Sequence, residues 1–120
     1  MKPASAQRFA ELLGDIVEWG ERIPVIMHGR SFEAVREDQL CHLATWKCLE
    51  VLGEASANIL KLETDYAARY PGLPLRQAYA MRIQLTHGNG SVDLSILRTT
   101  ATKFVPPMVE EARAILAADA

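Results

Sequence analysis

Apolar residues recur at helical spacing along almost the whole chain, and nowhere do they alternate over a useful length as a strand would. In residues 5–20, Phe9, Leu12, Leu13, Ile16 and Val17 keep a three-and-four rhythm, while Glu11, Asp15 and Glu18 fall mostly elsewhere. This predicts a first helix capped by Ser5 and ended or broken at Gly20 and Pro24. Residues 23–30, with His28 and Gly29, read as a connector. Ser31 then caps a short helical turn carrying Phe32, Ala34 and Val35.

The longest periodic segment covers residues 38–62. Cys41, Cys48, Leu52, Ala55, Ile59 and Leu62 trace one stripe, and Leu43, Trp46, Leu49 and Gly53 supply a second. A helix apolar on two faces packs on both sides, so it is either central in a bundle or partly committed to a partner subunit. Gly53 costs about 1 kcal/mol relative to alanine in a helix. Its compensation is close approach of a neighbouring helix.

Thr64 starts a short helix over Asp65–Tyr70, ended by Pro71-Gly72. Pro74 opens the next helix at a position where its missing N–H costs nothing. Leu75, Ala78, Met81 and Leu85 give that helix a buried side, and it should fray by Gly88. Ser91 is expected to cap the following helix, with Asp93 in its first turn at the positive dipole end. Leu94, Leu97, Ala101 and Phe104 face inward. Pro106-Pro107 should stop this helix and start the last, whose inner face is Val109, Ala112, Ile115 and Leu116. The expectation is an all-α, up-and-down helical bundle of four main helices plus short ones, forming one domain over residues 1–120.

Composition narrows the function classes. Apolar residues make up 49% and charged residues 23% of the 120 positions, the usual mix for a water-soluble domain. The net charge of −2 gives no support for a general nucleic-acid coat, although net charge does not report distribution. Cys41 and Cys48 lie two helical turns apart, roughly 10 Å of rise, too far to bridge within one helix. They read as buried thiols in a reducing compartment. No zinc spacing, leader segment or membrane-length apolar run is visible, so a cytoplasmic location and no metal or cofactor are expected.

One stretch breaks the helical monotony: Met81-Arg82-Ile83-Gln84-Leu85-Thr86-His87-Gly88-Asn89-Gly90. In an unbroken helix, five positions set Arg82 and His87 about 140° apart, so they share a face only if the helix loosens near His87. One reading is structural: a Gly-Asn-Gly turn after a solvated arginine and a helix C-terminal histidine. The other is chemical. Histidine moves protons near neutrality, and arginine grips phosphate through its planar fork. Together they suit RNA cleavage, in which the ribose 2′-hydroxyl attacks the phosphorus. A base takes its proton, an acid protonates the 5′-oxygen, and a cation stabilises the phosphorane. One histidine cannot easily serve both proton transfers in one step. A two-fold dimer places two histidines and two arginines across one cleft, so the chemistry predicts a homodimer.

These residues carry a family resemblance. Gly53-Glu54-Ala55, Tyr70-Pro71, Leu75-Arg76, Met81-Arg82 with His87-Gly88, and Val92-Asp93 resemble, in order and spacing, the HepT-like proteins of the HEPN superfamily over residues 8–116. The resemblance implies an all-helical dimer. It also implies a metal-independent endoribonuclease, the toxin half of a toxin–antitoxin pair whose partner is a small nucleotidyltransferase. Arg82 and His87 fall on the catalytic positions, with Glu54, Gly88 and Asp93 as supporting candidates. In characterised pairs the partner silences the toxin by transferring AMP to a motif tyrosine. That position is Asn89 here, whose amide cannot accept AMP as a phenol does. Ile83 stands where the family usually has a polar residue. Two readings follow: a ribonuclease controlled by complex formation, or a binding module that pairs with a nucleotidyltransferase and does not cleave RNA.

The remaining candidates have simpler readings. Glu54 could orient Arg82 or His87, or form an ordinary surface ion pair. His28 and His42 read as structural or solvated. Tyr66, Tyr70 and Tyr79 are either RNA-stacking rings or core and interface aromatics. Trp19 and Trp46 read as packing anchors, and Arg76 either adds to a basic cleft or is simply solvated.

Overall fold

Four long helices form a row in a computed structural model that describes residues 4–87 and 93–118, and for Thr86 and His87 the backbone alone. In chain order the elements are α1 (Ala4–Met27), α2 (Phe32–Glu37), α3 (Gln39–Leu60), α4 (Tyr66–Arg69), α5 (Leu75–His87), α6 (Leu94–Thr99), a π-helical turn (Thr100–Phe104) and α7 (Val105–Ala118). No strand occurs among the described residues. The expected all-α bundle is therefore what forms. Helix α3 packs against α1 on one side and α5 on the other, and α1 packs in turn on α7. The row thus reads α5, α3, α1, α7, and α5 stands at one end of it.

The first helix is longer than its sequence suggests. Gly20 and Pro24 were expected to end it, but α1 continues to Met27 with Pro24 inside. An internal proline removes one backbone hydrogen bond. Ile23 and Met27 offset that loss, because they continue the buried stripe of Leu12, Leu13, Ile16 and Gly20. Gly20 serves close contact rather than termination: a Cβ there would collide with the Val109 side chain and sit 3.6 Å from Val105 Cγ1. The chain turns only at His28 and Gly29, both with positive φ (26° and 70°).

Caps fix the shorter elements. Ser31 caps α2 by accepting from the Ala34 N–H (3.2 Å), as expected. Asp38 caps α3 through the Cys41 N–H (3.1 Å). Asp65, not Thr64, caps α4 through the Ala68 N–H (3.1 Å). Asp93, not Ser91, caps α6, accepting from Ser95 (2.9 Å) and Ile96 (3.3 Å). In each corrected case an ionised carboxylate is the stronger acceptor at the positive helix end. Pro106 and Pro107 also do not separate two helices. The helical path runs through them, and the Val105 N–H reaches back to the Thr100 carbonyl in a π turn. That wider turn lies where two successive N–H groups are missing.

The core is one cluster drawn from every long helix, including Phe9, Ile16, Leu49, Leu52, Ile59, Leu75, Leu97, Met108 and Ala112. The buried hydroxyls of Thr45 and Ser56 donate to the carbonyls of Cys41 and Leu52, both at 2.8 Å. Both cysteines are free and buried, and burial pushes the Cys48 thiol up. That thiol is inert at neutral pH. The two-faced reading of α3 holds for its C-terminal half. Toward the N-terminus, Leu40 and Leu43 remain exposed (79% and 46%).

Candidate active site

Helix α5 positions Arg82. Leu75, Ala78 and Leu85 turn into the core and fix the helix's rotation. Arg82 then falls at the seam with α3, directly over Gly53. A Cβ on Gly53 would collide with Arg82 Cβ and lie 2.9 Å from the Ala78 carbonyl oxygen. The predicted close approach at Gly53 is thus a contact with the arginine's own stem and the backbone one turn before it.

Glu54, the residue after that glycine, reaches the guanidinium. Its Oε2 lies 2.7 Å from Arg82 Nη2. The two side chains are 32% and 50% exposed, so the pair sits at the molecular surface with the arginine the more enclosed partner. An exposed pair of this kind contributes at most about 1 kcal/mol to stability. Its consequence is orientation: the stem rests on a glycine, and the head is held by a carboxylate. Of the two readings of Glu54, the structure shows the ion pair, and its partner is Arg82.

His87 is the last residue of α5. The helix keeps its form up to that point, so the loosening that would swing His87 toward Arg82 does not occur within α5. On a regular helix the two positions stay about 140° apart. The His87 side chain, Gly88 and Asn89 lie outside the described residues. Asp93 is described, and its carboxylate is engaged in capping α6. His42 is partly buried with its Nε2 3.3 Å from the Arg36 carbonyl, and His28 forms the turn after α1. Neither approaches Arg82 in any described contact. Among the described residues no three His, Cys, Asp or Glu side chains gather as metal ligands would, and no helix is long and apolar enough to cross a membrane.

The three tyrosines separate. Tyr66 is buried and stacked on Phe9, with centroids 3.9 Å apart and planes within 8°. Tyr70 lies beside that pair, its ring 5.5 Å from Phe9 and 6.3 Å from Tyr66. Tyr79 is exposed (38%) on α5, one turn before Arg82. Sequence spacing gives all three the same standing, and only the packing of α4 against Phe9 distinguishes them.

The family follows from the length of the match. A model described as ribonuclease HepT-like covers residues 7–115. This chain belongs to the HepT-like ribonuclease family. Among curated relatives, a Thermococcus cleftensis protein named "Probable ribonuclease HepT" is 32% identical over 98 residues, 82% of this chain and 86% of its own. A Methanocaldococcus jannaschii protein whose name proposes an RNase is 29% identical over 104 residues, 87% and 84% of the two chains. A second protein of that organism, similarly named, is 28% identical over 104 residues, 87% of each chain. No solved structure matches the chain at comparable significance.

Proposed function

We propose that this HepT-like chain is a metal-independent endoribonuclease that works as a homodimer, with Arg82 and His87 as its catalytic residues. The observation that carries the reading is Arg82 itself: a guanidinium braced from beneath by Gly53, held at its head by Glu54, and still one-third exposed. A stem packed on a glycine and a head set by a carboxylate make a pre-oriented fork, the geometry in which arginine meets a phosphate. The continuity of α5 through His87 supports the dimer. With the two positions on different faces of one helix, a shared cleft needs the imidazole of one protomer to meet the cation of the other.

In this mechanism one His87 accepts the proton of the ribose 2′-hydroxyl as its oxygen bonds to phosphorus. The second His87 protonates the departing 5′-oxygen, and the paired Arg82 side chains stabilise the phosphorane's negative charge. The products carry 2′,3′-cyclic phosphate and 5′-hydroxyl ends. In the cell the activity would be a toxin, silenced by binding of a small nucleotidyltransferase. With Asn89 at the usual acceptor position, AMP transfer to that site does not operate.

A second reading, a nucleotidyltransferase-binding module without cleavage, has one observation on its side. Ile83, beside Arg82 and 38% exposed, puts an apolar surface where the family usually has a polar group. Incubating the purified protein with single-stranded RNA and EDTA distinguishes the two. The nuclease reading expects cyclic-phosphate ends from wild type and a loss of about 100-fold or more for a folded His87→Ala. Equal, negligible turnover by both proteins selects the binding module.

A further inference from the structure

The outward face of α5 differs in charge from the rest of the bundle. Its 13 residues hold Arg76 and Arg82 and no aspartate or glutamate. The other three long helices each carry more acidic than basic residues: α1 has four against two, α3 two against one, and α7 two against one. The overall charge of −2 therefore conceals a helix with no acidic residue of its own at one end of the row, whose Arg82 meets the Glu54 carboxylate of α3. Arg76 is exposed and forms no ion pair with any described residue. Between the two arginines, at three-residue spacing from each, stands exposed Tyr79.

Residues three apart on a helix are neighbours, with Cβ atoms roughly 5–6 Å apart. Arg76, Tyr79 and Arg82 thus follow one three-residue row, cation–ring–cation, that winds about 120° around the helix over roughly 9 Å of rise, with the ring midway between the cations. Ile83 broadens the apolar surface beside the ring. Alternating cations and aromatic rings are how proteins hold single strands: the cations take backbone phosphates and the ring takes a base face. The span from Tyr79 to Arg82 suits a nucleotide whose phosphate lies at the guanidinium and whose base folds back along the helix. Arg76 then reaches the next phosphate.

We propose that Tyr79 is the base-stacking platform of the substrate site, and that Arg76 holds the phosphate adjoining the one cut at Arg82. This rests on the nuclease reading and adds to it the path of the strand, which runs along α5 with one base on Tyr79. A base paired in a duplex has no free face for the ring. Tyr79 would therefore raise affinity, and so lower KM, without taking part in bond breaking.

The test uses the whole protein and a fluorescein-labelled single-stranded RNA oligonucleotide. Binding is read by anisotropy in the His87→Ala background and cleavage in the otherwise wild-type protein. Tyr79→Ala is expected to weaken binding and raise KM roughly 10-fold with kcat little changed, and Tyr79→Phe to restore both. Arg76→Gln is expected to flatten the salt dependence of binding by roughly 0.7 in log–log slope, one phosphate's worth on a single strand. Unchanged KM in Tyr79→Ala, with wild type cleaving normally, overturns this proposal and leaves the nuclease reading intact. A Tyr79→Ala protein with an altered oligomeric state by light scattering also overturns it, assigning the ring to a subunit interface. If wild type neither binds nor cuts RNA, the nuclease reading falls and takes this proposal with it.

Discussion

Two helix contacts in this bundle use the same device for different ends. Where α1 meets α7, Gly20 lets the helices close on Val109 and Val105. Where α3 meets α5, Gly53 lets them close on Arg82 and the Ala78 carbonyl. Each seam has an arginine nearby. Arg113 of α7 lies exposed between Glu21 and Glu110, and its guanidinium is held above its usual pKa, chiefly by the hydrogen bond to Glu21. Arg82 has Glu54 at its head and is the more enclosed of the two. The first seam ends in valine packing, with its arginine a surface clip. The second places a charged side chain in the close contact itself. The glycine there makes room for the Cβ and Cγ of an arginine and for a backbone carbonyl, a contact that gains less hydrophobic stabilisation than the valine packing of the first seam.

The sharpest way to break this comparison is to put a Cβ at each glycine. Gly53→Ala meets a backbone oxygen at 2.9 Å and the root of a side chain, neither of which can step aside. We expect a destabilisation of about 2–3 kcal/mol, measured by chemical denaturation. Gly20→Ala meets mainly a valine methyl, and the alanine restores about 1 kcal/mol of helix propensity. Its net cost should stay near 1 kcal/mol or below. Equal losses at the two sites would remove the distinction between the seams.

A smaller effect separates orientation from stability. Glu54→Gln keeps the shape of the Arg82 partner and removes its charge. Denaturation should shift by less than about 1 kcal/mol, as for other exposed pairs. RNA cleavage should fall roughly 10-fold through kcat, because the fork loses its hold before the phosphate arrives. Unaltered kcat would make Glu54 a surface ion pair and nothing more.

The smallest effect lies at the start of α3, away from both seams. The Cys41 N–H, followed by the Arg30 guanidinium, holds the Asp38 carboxyl below its usual range. A depressed folded pKa means that the cap's contribution is present at neutral pH and is lost as pH falls through that lowered value. Melting curves of wild type and Asp38→Asn should converge below about pH 4 and separate slightly above it. Divergence in acid would reverse the sign.

Much of this architecture is legible in the apolar periodicity, because burial of a helix stripe is the strongest local signal a bundle provides. Gly53 is legible too, since a costly residue inside a long helix needs a neighbour that benefits. The misreadings share one cause. Gly20, Pro24 and Pro106-Pro107 are breakers by propensity, and packing overrides propensity when the residues beyond them have a core to enter. Ile23, Met27, Val105 and Met108 supply that core. Thr64 and Ser91 have cap chemistry, but the aspartates one or two residues on take the first free N–H groups of α4 and α6. Arg82 and Glu54 were both visible as candidates. Their pairing depends on how α3 and α5 are rotated against each other, and spacing along either helix does not contain that.

The most direct measurement compares Arg82→Met with Arg113→Ala in single-stranded RNA cleavage with EDTA present, at matched folding by circular dichroism. Methionine keeps a stem over Gly53 and removes only the charged fork. The account predicts that Arg113→Ala cuts at the wild-type rate while Arg82→Met is slower by about 100-fold or more. Wild-type cleavage by Arg82→Met would contradict it, leaving the α3–α5 seam as a packing contact like its counterpart.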